Sequence, residues 1–586
     1  MCGIIGYTGP GDGASIVLEG LKNLEYRGYD SFGFVLKSDS GMKIIKKVGK
    51  IAEFQGFSDN KRYSVAMGHT RWATHGAVTE ANAHPHTDCS GSIALAHNGI
   101  IENYQELRKE LKAKGHRFAS ETDSEVIVHL IEEYAKAKGF VEGAKLALKR
   151  LQGCYAVLAI SRDDDAIVAA RRGSPLVVGV GKGEYFIASD IPAFLKHTKR
   201  VVYLYDEDFV VISGDMKVYN LKTGAIVERK TDTIEWDIEQ AKKGEFQHYM
   251  LKEIAEQTET IKRASEQDPG IIKKVAEKIK QAYGVFFVGA GSSYHACLAA
   301  SYIFSKVAQR HINVVLASEF PNYEHFLTDK TLIIAVSQSG ETADVLKAVK
   351  AAKDRGSEVI SIANVMGSSI TRYSDHFLMM HAGPEICVLS TKTYTSQLAL
   401  LILLAYACAD KYDEGRRVLT YAWNQAYNLT SRNTKDFIKS LAERLKSKEH
   451  IFLIGRDLQY ATALEAALKI KEVSYIHAEG FAGGELKHGT IALIDKGTPC
   501  IVFASKDNER EILSNAMEIK SRGGYIIGVG ATNNETYDFF IKVPEMGYAN
   551  PVGQIIPMQL LAYELAVLRG CDVDRPRNLA KSVTVL

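Results

Sequence analysis

The chain has 586 residues, 46% of them hydrophobic, enough for several domains with sizeable cores. Its 72 Lys+Arg stand against 70 Asp+Glu, which excludes a basic field for nucleic acid or an anionic membrane, so an anionic substrate has to be held by local geometry. Eight scattered cysteines, none at CxxC spacing, argue against a zinc knuckle or redox motif and fit a reducing compartment.

The opening Met-Cys-Gly-Ile-Ile-Gly has no basic stretch ahead of an apolar run and does not read as a signal peptide. Short apolar strands are predicted at 4–7, 33–36, 92–96, 156–160, 166–170, 176–180, 186–188, 201–205 and 209–212. Helices are predicted at 16–25, 104–114 and 124–137, the last with Val126, Ile127, Leu130 and Ile131 on one face. Many strands with fewer helices predict layered α+β packing. Residues 226–250 are polar and charge-rich and read as a linker.

Beyond the linker the pattern becomes strand–loop–helix. Strands are predicted at 284–289, 331–336 and 358–363, and the series recurs at 451–455, 500–504 and 524–530. This predicts an internal duplication of two α/β units with parallel sheets, which bind ligands at the carboxyl ends of their strands. The longest apolar run, 398–408, is too short to span a bilayer and predicts a buried helix. A soluble, cytoplasmic protein without membrane or nucleic-acid partners is expected.

Cys2 follows the initiator methionine. Removal of Met1 frees an α-amino group with an unperturbed pKa of roughly 7.7–8.0, so nucleophile and general base belong to one residue. Read alone, a second-residue cysteine is ordinary. Its company matters: Arg27-Gly28-Tyr29-Asp30-Ser31, His69-Thr70-Arg71-Trp72-Ala73-Thr74-His75-Gly76, His84-Pro85-His86, His97-Asn98-Gly99 and Ser120-Glu121-Thr122-Asp123-Ser124. Hydrolysis of a glutamine amide needs a thiolate, a base, oxyanion donors, a guanidinium for the substrate carboxylate and an anion for its ammonium. Arg71, Asn98, Gly99 and Asp123 suit those places. Each also has a plain structural reading: Asn98-Gly99 as a hairpin turn, Asp123 as a helix cap, His84 and His86 as loop residues.

In the second half no P-loop occurs. Ser337-Gln338-Ser339-Gly340-Glu341-Thr342 lies between a strand and a helix, Gly291-Ser292-Ser293 follows the preceding strand, and Val388-Leu389-Ser390-Thr391-Lys392 is also hydroxyl-rich. Together they favour phosphate binding over simple helix capping. Lys469 and Glu472 are i and i+3 on a helix, either a surface ion pair or a carboxylate poised to move a proton between C1 and C2 of a sugar. His488 sits in a Gly-rich loop as a candidate acid/base, and Lys581 in the polar tail as a candidate imine former.

These motifs, in this order over essentially the whole chain, resemble the glutamine–fructose-6-phosphate aminotransferase family. The resemblance implies an N-terminal-nucleophile, class II glutamine amidotransferase αββα sandwich at 1–238, a linker and lead-in helix at 239–274, and two α/β sugar-isomerase (SIS) domains at 275–425 and 440–571, with a tail at 572–586. It implies Cys2 as nucleophile, glutamine held by Arg71, Asp123, Thr74 and His84, an oxyanion hole of Asn98 and Gly99, and Trp72 gating ammonia through an internal channel. It further implies sugar phosphate bound by Gly291, Ser292, Ser293, Ser337, Gln338, Ser339, Thr342, Val388, Ser390 and Ala580. Glu472 is then the isomerisation base with Lys469 as its partner, His488 the ring opener acting from the facing subunit of a homodimer, and Lys581 the Schiff-base lysine. No pyridoxal phosphate, other cofactor or metal is required. The chain departs from the family's usual residues at Ala290, Leu389, Thr490 and Leu586. The rival readings are a relative acting on another ketose phosphate, a deglycase working in reverse, and a sugar-phosphate sensor without catalysis. A complete set of Cys2, Glu472, His488 and Lys581 speaks against the last.

Overall fold

A computed structural model describes residues 2–39, 41–57, 61–73, 75–234 and 243–584. Thr74, Leu586 and the 238/239 boundary lie outside the described residues. The chain divides into two compact units, Met1–Lys242 with Ala580–Leu586, and Lys243–Leu579.

The first unit holds two antiparallel sheets. One has eight strands in the order Thr231–Thr233, Arg200–Tyr203, Val177–Val180, Tyr185–Ala188, Gly3–Thr8, Val65–Arg71, Ser31–Ser38, Gly41–Val48. The other has six, in the order Asp215–Asn220, Asp208–Ser213, Ile167–Arg172, Gly153–Ser161, Ile93–Ile101, His86–Thr87. Strand alternation sets the layers. Ala94 and Ala96 join Ile4, Val35, Met67, Leu158 and Ile160 in a core between the sheets. Ile93 and Leu95 point the other way, with Val157 and Ala159, into a core shared with Leu107, Leu111, Val126, Ile127, Leu130 and Leu148. Those residues come from the helices Tyr104–Ala113, Glu125–Lys138 and Phe140–Lys149. The helix Gly13–Asn23 covers the far side of the first sheet so closely that a Cβ at Gly68 would come within 2.6 Å of Val17 and 2.7 Å of Leu21. The result is the αββα sandwich.

Every strand predicted in this half forms, with ends shifted by a few residues. The region 97–99 is not a hairpin turn, because Asn98 and Gly99 continue the strand Ile93–Ile101 and pair with Ala156 and Tyr155. The strands Gly41–Val48 and Asp215–Asn220 and the helix Phe140–Lys149 were not anticipated. Thr231–Thr233, inside the expected linker, adds an edge strand.

The second unit contains two five-stranded parallel sheets with one topology. Numbering strands within each repeat, the order is 2-1-3-4-5 both in Gly284–Gly289, Asn313–Leu316, Thr331–Ser337, Glu358–Ala363, His376–Met379 and in His450–Gly455, His477–Ala482, Pro499–Phe503, Tyr525–Gly530, Phe539–Lys542. The duplication extends to backbone detail. The first strand of each repeat runs into a 17-residue helix, Ser292–Ala308 or Leu458–Ser474. Each helix is preceded by a residue in the same unusual conformation, Gly291 at φ 54, ψ −127 and Asp457 at φ 53, ψ −128. Each ends on a left-handed residue, Gln309 or Tyr475.

The helix Lys392–Cys408 is buried along its whole length, as its apolar run predicts. Among the described residues one segment, Gly547–Leu568, is long and apolar enough to cross a membrane, and 89% of its apolar window is buried inside the protein. Both helices contribute to a core that joins the two repeats.

Candidate functional sites

The first site grows from register. Gly3 pairs with Thr70 and Ile4 with His69, so the residue before Gly3 falls beside the end of the strand Val65–Arg71. There the Trp72 backbone N–H donates to Cys2 Sγ at 3.2 Å, and the Trp72 carbonyl lies 3.5 Å from the same sulfur. Burial pushes the Cys2 thiol pKa up, while the Trp72 N–H and the Arg71 charge oppose that shift. Asp30 Oδ2 accepts from Ala73 N at 2.8 Å and pins the following turn. The buried Arg71 guanidinium donates to Ala77 O and Gly76 O, each at 3.2 Å, and to His75 O.

Asn98 Nδ2 donates to the Cys2 carbonyl at 2.8 Å. Its orientation is enforced from behind. His69 Nε2 lies 3.0 Å from Asn98 Oδ1 and 3.2 Å from His97 O. Both partners are acceptors, so that ring nitrogen carries the proton and the amide nitrogen must face Cys2. Burial drives the His69 pKa down to about 3, outweighing those two hydrogen bonds, and keeps the ring neutral. Gly99, at φ +134, is required by space, since a Cβ there would meet Cys154 O at 2.0 Å. Asp123, also buried, accepts from Ile101 N at 2.8 Å.

His84 lies in a buried histidine cluster, its ring centroid 4.1 Å from that of His69 and 4.6 Å from that of His86, and its Nδ1 accepts from His97 N at 3.2 Å. Burial holds the His84, His86 and His97 pKa values below the ordinary histidine value. Cys2, Arg71, Trp72, Asn98 and Asp123 are thus each fixed by specific contacts. His69 and Asp30 were missed as parts of the site; both lie inside motifs noted in the sequence, but only the strand register shows their aim.

The second site lies where strand order reverses, between strands 1 and 3 of the first repeat, the position where open parallel sheets bind ligands. Gly291, Ser292 and Ser293 follow strand 1. Ser337 closes strand 3, and Thr342 caps the helix Ala343–Asp354. The second loop is strongly shaped. Ser337 Oγ is 3.1 Å from Thr342 Oγ1 and accepts from Gly340 N at 3.1 Å, while Ser339 Oγ accepts from Glu341 N at 3.2 Å. Glu341 turns away to accept from Ser369 N and Oγ, both at 2.7 Å. Gly340, at φ +65, tolerates no Cβ, which would lie 2.1 Å from Ser368 Oγ. Gln338 and Ser339 remain half-buried at the tip. Ser390 Oγ is 2.7 Å from Thr393 Oγ1, while Val388 and Leu389 are buried, Leu389 in the core that joins the repeats.

From the second repeat the helix Leu458–Ser474 presents Glu465, Lys469 and Glu472 on one face. Lys469 Nζ is 2.7 Å from Glu472 Oε2, 3.4 Å from Glu465 Oε1, and donates to Ser292 Oγ at 3.0 Å. Ser292 Oγ in turn donates to Glu465 Oε1 at 2.8 Å, and His295 Nδ1 lies 2.8 Å from Glu465 Oε2. Lys469 is wholly buried, which excludes the surface-pair reading. Burial disfavours its charge, yet Glu465 and Glu472 outweigh that and hold its pKa above the ordinary lysine value. Glu465 and His295 were missed; the signal was the spacing of Glu465 four residues before Lys469.

The equivalent position in the second repeat is filled by amides. Asn508 Nδ2 donates to Gln459 Oε1 at 2.8 Å, and Gln554 Nε2 to Ala504 O at 2.7 Å. His488 ends a short turn, Gly483–His488, and is exposed in the single chain, as Thr490 partly is. Ala580 and Lys581 are half-buried, in the segment that groups with the first unit.

A model described as a glutamine amidotransferase domain matches residues 69–196, and one described as an SIS domain matches residues 278–407 and 444–569. Over 100% of both chains, this sequence is 46% identical to the glutamine–fructose-6-phosphate aminotransferase [isomerizing] of Pyrococcus horikoshii and 45% identical to that of Methanothermobacter thermautotrophicus. Among solved structures, the C-terminal domain of glucosamine-fructose-6-phosphate aminotransferase from Francisella tularensis covers 57% of this chain and 99% of its own, at 34% identity and TM-score 0.52. A tagatose-6-phosphate ketose/aldose isomerase from Escherichia coli, 15% identical, covers 57% of this chain and 96% of its own at TM-score 0.50, a likeness of fold.

Proposed function

From a chain that belongs to the glutamine–fructose-6-phosphate aminotransferase [isomerizing] family, we propose how its residues divide the labour. The enzyme converts D-fructose 6-phosphate and L-glutamine to D-glucosamine 6-phosphate and L-glutamate, the first step of amino-sugar synthesis, with a glutaminase half and an isomerase half.

In the glutaminase half, Cys2 Sγ attacks the glutamine amide carbon, and the Cys2 α-amine, freed by removal of Met1, takes the thiol proton and returns it to the departing ammonia. Asn98 Nδ2 and the Gly99 N–H stabilise the oxyanion; the His69 hydrogen bond that turns the Asn98 nitrogen toward Cys2 supports this. Arg71 receives the substrate carboxylate with the guanidinium that also holds the 75–77 turn, so substrate binding and turn closure are coupled. Asp123 receives the substrate ammonium. Thr74 helps to hold the glutamine, Trp72, beside Cys2, gates the ammonia, and His84 acts from behind through the histidine cluster.

In the isomerase half, the single observation that carries the reading is Lys469 joining Glu472 to Ser292 at the edge of the hydroxyl-lined loops. Gly291, Ser292, Ser293, Ser337, Gln338, Ser339 and Thr342 hold the sugar phosphate, with Val388, Ser390 and Ala580 beside it. Backbone N–H groups and hydroxyls at helix starts neutralise the phosphate without a cation. Lys581 forms an imine with the open-chain ketose, ammonia replaces it at C2, and Glu472 moves the proton between C1 and C2. His488 opens the ring. Its exposure in one chain supports a homodimer in which it serves the partner's site. Eight free cysteines fit a cytoplasmic setting.

The test is incubation with glutamine and fructose 6-phosphate together and mass detection of the aminosugar phosphate. Cys2→Ala is expected to abolish glutamine use while fructose 6-phosphate still binds; glutaminase activity persisting in that variant removes Cys2 as nucleophile.

A further inference from the structure

The glutaminase unit gathers a second chemical cluster that neither reaction uses. Cys89 lies in the loop between the strands His86–Thr87 and Ile93–Ile101, and His116 follows the helix Tyr104–Ala113. His129 and Glu132, at i and i+3, share one face of the helix Glu125–Lys138. Their potential ligand atoms all lie within 4.8 Å of one another. Cys89 Sγ is 3.8 Å from His116 Nδ1 and 3.6 Å from His129 Nδ1. Glu132 Oε2 is 2.9 Å from His116 Nδ1 and 3.1 Å from His129 Nδ1.

Tetrahedral zinc with bonds of about 2.3 Å to sulfur and about 2.0–2.2 Å to nitrogen and oxygen separates S from N by about 3.6 Å and N from O by about 3.4 Å. The two sulfur–nitrogen spacings match those of one coordination sphere, and the two nitrogen–oxygen spacings, 2.9 and 3.1 Å, need only a small outward shift of Glu132 to match theirs. The outer contacts agree. His116 Nε2 is 3.2 Å from Glu133 Oε2 and His129 Nε2 is 3.6 Å from Glu125 Oε1, so each ring has a carboxylate on its far nitrogen and presents Nδ1 inward. The Arg117 backbone N–H donates to Cys89 Sγ at 3.4 Å, as it would to a thiolate. One thiolate and one carboxylate neutralise a divalent ion with both imidazoles neutral.

We propose that Cys89, His116, His129 and Glu132 bind one zinc ion as a closed structural site. Binding releases the Cys89 thiol proton to solvent and leaves no open position for a substrate. The sequence conceals the site because no two ligands stand at knuckle spacing and they come from three separate segments. Its role is to clamp the stretch that leads to Asp123. Glu125, behind His129, accepts from Ala119 N at 2.7 Å and from Ser120 N at 2.8 Å. Softness of the donor set selects zinc over magnesium or calcium.

The test uses the full-length protein, purified, incubated with zinc(II) and passed through a desalting column, with metal content measured by mass spectrometry. About one zinc per chain is expected. Cys89→Ser and His116→Ala are expected to lower the content about tenfold or more, while Cys571→Ser leaves it unchanged. Cobalt(II) loaded into the unsubstituted protein is expected to give tetrahedral d–d bands and a thiolate charge-transfer band, a readout that needs no variant to fold. Removing zinc with a chelator is expected to lower the glutaminase unit's melting temperature by about 5 °C. Zinc content below about 0.1 per chain, equal content in Cys89→Ser, or cobalt spectra without a thiolate band each overturn the proposal.

Discussion

Lys469 and Glu472 form a 2.7 Å ion pair whose members differ in exposure, the lysine side chain wholly enclosed and the carboxylate 20% accessible. A second carboxylate, Glu465, is as buried as the lysine and shares it at 3.4 Å. Lys469 and Glu465 are enclosed, and only the Glu472 carboxylate of the three keeps access to solvent, which is why the proton-carrier role is proposed for it.

Glu472→Gln keeps shape and hydrogen bonding but removes the base. Formation of aminosugar phosphate is expected to fall by roughly 10²–10⁴-fold, with glutamine hydrolysis intact and fructose 6-phosphate binding little changed. Product formation within tenfold of the unsubstituted enzyme excludes Glu472 as the proton carrier.

Lys469→Met strands two carboxylates around Ser292. Breaking a buried pair by removing one partner costs about 3–5 kcal/mol, so denaturant unfolding of the second unit is expected to shift by that amount. Pairing the change with Glu465→Gln is expected to recover part of the loss. An unaltered midpoint in Lys469→Met contradicts the burial of this charge.

The order of elements was legible because alternation and short apolar runs survive in single residues. Ala94 and Ala96 against Ile93 and Leu95 declare both faces of a strand. The duplication was legible from recurring strand–loop patterns. Roles set by long-range register were not: His69 reads as one residue of a motif until pairing with Ile4 aims it at Asn98. Gly41–Val48, with four lysine or methionine positions among eight, hides its strand character because its residues are half-buried or exposed at the sheet edge. Glu465 was overlooked because one carboxylate among alanines on a helix carries no sign of the repeat packed against it.

His69 acts through Asn98 and so should move kcat more than substrate binding. His69→Phe is expected to lower kcat for glutamine hydrolysis roughly 10- to 100-fold with KM changed less than about threefold, while Asn98→Ala costs roughly 10²–10³-fold. A KM effect with unchanged kcat assigns His69 to packing alone.

Lys581 is expected to be trapped by borohydride in the presence of fructose 6-phosphate, adding one reduced sugar phosphate per chain. Peptide mapping of the label to another lysine removes it from the imine role, and Lys581→Arg is expected to abolish labelling because a guanidinium forms no such adduct.

The histidine cluster ties stability of the glutaminase unit to pH. Burial depresses the His69 pKa to about 3 and lowers those of His84 and His97. Between the unfolded value near 6.5 and these lower folded values, the unfolded chain binds protons that the folded chain refuses. Stability is therefore fully present above about pH 6.5 and lost as pH falls toward 3, by up to about 1.4 kcal/mol per pH unit for each such histidine. Melting followed by near-ultraviolet circular dichroism from pH 7.5 to 5 should show the first unit's transition falling in that window, and His69→Phe should lessen the slope by one proton's share. A transition temperature that holds level across the window shows that these rings titrate alike in both states and overturns the depressed folded-state values.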